Sequence, residues 1–345
     1  MSHPNGPVRS QPPGDANPMA RNSESPLSSA VKPASRRSDA PGPGAGAGKV
    51  VAVSLLIGLL AGLLGLAPWL LTGARLPLQN LWGTQVLPAQ MPLALLPLSQ
   101  YEATTLVALM TTSGAAAGLA VRLWSPARRR LAMWCAAGGV ILVQVTAAIQ
   151  AFTVVGEGLA PGPMSSLYLA GLQGGVVAAV VAGLVVLLLL AAKSRALAAL
   201  GVGLVAVPFV SWVAAGVAYA AGVGNVPLLL TMLWPWLPAV LVGGALAWCG
   251  LRPRVRALVW VVDLGLLWVV PAMFTAVQSV LGTRVLGGDL QEMAAMGKRV
   301  FAAALGSAGG AGPTILLALA IALVGAFARF PPRKPSEPGR ADHGH

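Results

Sequence analysis

Eight apolar runs, almost free of charged residues, leave this chain few ways to fold. Each is close to the ~20 residues needed to cross a ~30 Å hydrocarbon core at 1.5 Å per residue. They fall at about 50–72, 101–123, 131–154, 167–191, 197–220, 228–250, 257–280 and 309–329. In lipid every backbone amide must be bonded within its own segment, so each run is expected to be a helix. The expectation is an all-α integral membrane protein, a bundle of about eight transmembrane helices.

Composition agrees. Charged residues make up 10% of the chain and hydrophobic residues 56%, whereas soluble domains carry about a quarter charged. The net charge of +13 does not point to nucleic acid. That would require basic residues clustered on a folded polar surface with stacking aromatics. Here they lie in short loops between apolar runs.

Those loops set the expected orientation. Of the 23 Lys and Arg, only Arg75, Arg284, Lys298 and Arg299 fall on one side. The other 19 sit in the two tails and in the loops around Arg122–Arg130, Lys193–Arg195 and Arg252–Arg256. The positive-inside bias therefore places both termini in the cytoplasm of a bacterial-type plasma membrane.

Residues 1–48 and 331–345 are rich in small, polar and proline residues and lack apolar periodicity. Such segments cannot bury enough surface to offset ordering their backbone, so both are expected to be disordered cytoplasmic tails flanking a polytopic domain over 49–330. The first apolar run begins only near residue 50. It reads as an anchor rather than the core of a cleaved leader, which would follow a brief basic region directly.

Two outer segments stand apart. Residues 73–100 are apolar but carry Pro77, Pro88, Pro92 and Pro97, a density that forbids a spanning helix. This segment is expected to lie in the outer interface or fold back over the bundle. Residues 289–305 open on Asp289 and Glu292 in capping-box register. Leu290, Met293, Val300, Phe301 and Leu305 then recur at three- to four-residue spacing, with Gln291, Glu292, Lys298 and Arg299 largely opposite. That pattern is an interfacial amphipathic helix, an anchor or a lid.

Candidate chemistry is sparse. Asp263 is the one acid well inside an apolar run, and such a group is costly unless protonated, paired or hydrated. A structural partner for it would be Arg256 or Arg122. Thr146, Gln150 and Thr153 share a helix face, and Gln173, Thr275 and Gln278 on other spans are placed to meet them. Asp263, Gln278, Gln150, Thr146, Gln173 and Glu102 are thus the candidates for a polar path. Helix-to-helix hydrogen bonding is the simpler use of such amides and hydroxyls. Small-residue spacings at Gly58/Gly62, Gly114/Gly118 and Gly171/Gly174/Gly175 are frequent in a chain with 42 glycines and discriminate poorly. Trp234-Pro235-Trp236-Leu237-Pro238 should break the sixth span.

Cys135 and Cys249 are the only cysteines, and His3, His343 and His345 all lie in the tails. No metal, cofactor or catalytic signature follows from them. The expected function is a permease-like protein moving a small or lipophilic solute. The alternatives are a non-catalytic scaffold with protein partners on its basic tails, and third, a lipid-modifying enzyme. The lipid bilayer is the one partner that the sequence requires.

Overall fold

The computed structural model describes residues 45–222, 224–283, 289–306 and 310–328. The two tails expected to be disordered lie almost wholly outside that range, as does Arg284. Among the described residues ten α-helices follow one another: α1 (Ala45–Leu71), α2 (Ala103–Trp124), α3 (Arg129–Gly158), α4 (Pro163–Ala191), α5 (Arg195–Ala221), α6 (Leu228–Leu233), α7 (Leu237–Cys249), α8 (Arg254–Gly282), α9 (Leu290–Leu305) and α10 (Ala311–Ala328). A 3-10 turn at Trp234–Trp236 joins α6 and α7 into one broken span, at the Trp-Pro-Trp-Leu-Pro stretch. Proline supplies no amide hydrogen to an i−4 carbonyl, so the break falls there.

Eight stretches are long and apolar enough to cross a membrane, and each coincides with a run read from the sequence. The protein is a multi-pass helical membrane bundle. Its outward faces carry exposed Leu56, Leu60, Val261, Val324 and Phe327, the reverse of a soluble surface.

Two cores form. One gathers Leu66, Met110, Ala151, Val155 and Val176 from α1 to α4. The other gathers Ala206, Val242, Leu246, Trp260 and Ala318 from α5, α7, α8 and α10. α2 is the most enclosed span, and small residues explain how. A Cβ on Gly114 would collide with the Gly183 carbonyl, and one on Gly183 with the Met110 carbonyl, so α2 and α4 touch backbone to backbone. Gly58 and Gly139 do the same for α1 and α3. Gly171, Gly174 and Gly175 face open space. Two of the three glycine spacings in the sequence are therefore packing seams, and the third is not. A seam the spacing search passed over joins Ala239, Gly243 and Ala247 of α7 to Ala318, Ala322 and Gly325 of α10.

The arginines of the basic loops meet at one end of the bundle. Arg122 donates to the carbonyls of Leu190 and Ala192, Arg129 Nε to Ala191 O at 2.7 Å, and Arg256 Nη1 to Cys249 O at 2.8 Å. Arg122 and Arg195 both lie over the Trp248 ring, at 4.8 and 5.5 Å. Carbonyls that α4 and α7 leave free at their last turns are thus satisfied by guanidinium groups.

At the opposite end the proline-rich segment folds back into the bundle. Leu76, Met91, Ala94, Leu96 and Leu98 are all 2% exposed or less and belong to the first core. The segment closes on itself through Leu76 N to Pro92 O at 2.9 Å and Ala94 N to Ala74 O at 2.8 Å, and side chains satisfy further backbone groups. Gln150 Oε1 accepts from Leu95 N at 2.8 Å while its Nε2 donates to Leu93 O at 3.0 Å. Trp69 Nε1 donates to Ala94 O and Arg75 Nη1 to Met91 O. Tyr168 OH donates to Gln79 Oε1 at 2.6 Å, and Gln79 Nε2 in turn to Leu98 O at 2.7 Å. Trp82 packs where a Cβ on Gly158 would otherwise sit.

Candidate functional site

The six candidate path residues do not form one line. Thr146 is exposed and its hydroxyl returns to Leu142 O, four residues back on its own helix. Thr153 and Thr275 do likewise with Ile149 O and Pro271 O. A hydroxyl satisfied this way needs no neighbour and can face lipid. Gln173 is also on the outward face. Gln150 is spent on the folded-back segment, a partner no spacing rule could reveal because it lies 55 residues away. Gln278 and Glu102 do come together: Gln278 Nε2 donates to Thr104 Oγ1, and Thr105 Oγ1 to Glu102 Oε2 at 2.7 Å. Gln144, which the stripe omitted, is the buried amide of α3, donating to Met110 O at 3.2 Å. It stands on the same face as the buried Val140, Ala147 and Ala151 of its helix.

Asp263 lies in the second core. α8 begins at Arg254, so Asp263 is about 14 Å along the helix axis, deeper than a start at residue 257 implies. It is 0% exposed, and neither carboxyl oxygen has a hydrogen-bond partner. The carboxyl fills the space left by Gly203 on α5, where a Cβ would collide with Oδ1. The arginines expected to pair with it are turned to carbonyls instead, Arg256 to Cys249 and Arg122 to Leu190 and Ala192. Thr112 Oγ1 on α2 is the one other buried side-chain oxygen without a partner among the described residues. No group of three or more His, Cys, Asp or Glu that could hold a metal occurs among the described residues.

A cavity lies at the end away from the arginines. It encloses about 580 Å³ between the folded-back segment, α2, α4, α8 and α9, with Leu98, Leu106, Leu167, Leu172, Leu281 and Met293 in its wall. Its polar fringe is Asn80, Ser99, Gln100, Tyr168 and Thr283. Much of that fringe is already bonded within the protein, Asn80 to the Tyr101 hydroxyl and Tyr168 to Gln79. Gly171 and Gly175 line it with nothing within contact distance of a Cβ. The glycines that make no seam therefore make volume.

α9 closes one side. Asp289 caps it, accepting from Glu292 N at 2.9 Å, and Gly297 lets it approach α8 closely at Val280. A second groove of about 690 Å³ runs between the two helices and shares Val280, Leu281 and Met293 with the first cavity. Lys298, expected on the polar face, lines this groove; a long aliphatic stem lets lysine cover apolar surface while its charge stays in water.

No known family model, curated protein or solved structure matches this chain. The geometry alone must carry the reading. Spaces of this size, apolar with a few convergent polar groups, are ordinary small-molecule sites, and this one offers an apolar guest shape and desolvation rather than ionic contacts.

Proposed function

We propose that this protein is a permease-like carrier that takes up a lipophilic molecule at the outer leaflet. The observation that carries the reading is the apolar cavity where α8 and α9 face α2 and α4. It lies between helices belonging to different cores, the junction at which bundles can shift to admit and release a guest. The amphipathic α9 beside it suits a lateral entrance at the lipid interface.

The basic end faces the cytoplasm in this reading, and the cavity end faces outward in a bacterial-type plasma membrane. The support is the loop-by-loop bias of Lys and Arg. Asp263 has no part in the cavity and serves as a packing group of the α5–α8 contact.

Leaflet transfer tests the proposal. Proteoliposomes are loaded in the outer leaflet with an NBD-labelled lysophospholipid, and dithionite bleaches whatever has not crossed. Transfer should exceed that of protein-free liposomes. A rate equal to the protein-free control would contradict carriage of such a molecule.

A further inference from the structure

Building on that reading of the cavity as a lipophilic site, we infer that its guest is an amphiphile with a single apolar chain and an anionic head, held at Lys298. The two spaces adjoin at Val280, Leu281 and Met293, which line both, and we take them together as one trench. Its walls are apolar along α8 and α9, from Met273 to Leu281 and from Met293 to Phe301. Among the described residues lining either space, Lys298 is the one charged side chain. The acid nearest to it on its own helix, Glu292, is six residues away and faces another direction. A neutral guest has no use for the lysine and a cationic head is repelled by it. A carboxylate or phosphate head next to the exposed ammonium makes a charge-assisted pair at the rim of the groove. The uncharged fringe at Asn80, Ser99 and Tyr168 marks the other end of the trench, so one unbranched chain with one charged end matches the distribution of polarity.

The test uses the full chain in nanodiscs with two photo-crosslinking probes, a diazirine fatty acid and the corresponding fatty alcohol. Labelling of α8 and α9 is titrated and read by mass spectrometry. Lys298→Gln should weaken apparent affinity for the acid roughly twofold to fivefold, the effect of one exposed charge pair, and leave the alcohol unchanged. Lys298→Arg should keep acid binding, and Arg299→Gln, outside the lining, should leave both probes unaffected. Wild-type affinity of Lys298→Gln for the acid, or an equal loss for the alcohol, overturns the inference. A Gly171→Leu/Gly175→Leu double variant separates the two levels: it should weaken both probes. If it changes neither, the lipophilic site itself is wrong.

Discussion

Gly203 on α5 makes room for the carboxyl of Asp263 on α8, and that carboxyl has no hydrogen-bond partner in the space it fills. The pair fixes how closely two spans of the second core approach. Gly203→Ala should therefore overpack the contact and lower stability by about 1–3 kcal/mol. Asp263→Ala added to it should restore much of the loss, because the small side chain vacates the space the new methyl needs. Thermal unfolding of the two single variants and the double variant gives the coupling directly. Additive losses would mean that the two residues do not share the contact.

Asp263→Leu tests the same group another way. A buried polar group without a partner costs stability, so an apolar side chain of similar bulk should leave the melting temperature equal or higher. A marked fall would reveal a bond to Asp263 that the packing does not show. Because Asp263 lies outside the cavity walls, binding of lipophilic probes should be unchanged in a folded Asp263→Asn.

Gln150→Leu should free the proline-rich segment. It leaves Leu95 N and Leu93 O without their partner, at a cost of about 1–3 kcal/mol for each group that stays buried and unpaired. The expected outcome is faster amide exchange at Leu95 and quicker proteolysis within residues 73–99. Thr153→Val, whose hydroxyl serves only its own helix, should change neither. Protection of the segment in Gln150→Leu equal to the wild type would show that buried Leu76, Met91 and Leu98 hold it unaided.

The glycines divide into two classes that substitution should separate. Gly183→Val puts side-chain atoms where the Met110 carbonyl stands and should unfold or strongly destabilise the first core. Gly138→Leu meets open space and should cost nothing measurable by thermal unfolding, with a slight gain from replacing glycine in a helix. Equal tolerance at both positions would contradict the backbone contact of α2 and α4.

The spans were legible because lipid imposes one rule on every residue of a crossing segment, and the break at Trp234–Trp236 because proline lacks a donor. The amphipathic α9 was legible from its period. What spacing could not supply were partners distant in sequence. Gln150 looked like one member of a helix-face stripe, yet its bonds go to Leu93 and Leu95. Asp263 invited an arginine, but the carbonyls at the helix ends hold Arg122 and Arg256. Lys298 is exposed, as its place on the polar face implies, and it also lines the α8–α9 groove, which no helical period could show. The cavity itself had no sequence signature, since Gly171 and Gly175 define it by what they lack.

The most direct test of the proposed carriage through the cavity is the leaflet transfer of the NBD-labelled lysophospholipid by the Gly171→Leu/Gly175→Leu variant. Both glycines line the cavity with no atom within 4 Å of an added Cβ, so the variant should fold, which thermal unfolding checks. Its transfer rate should fall to that of protein-free liposomes. A folded variant that transfers the probe at the wild-type rate would contradict the role given to the cavity.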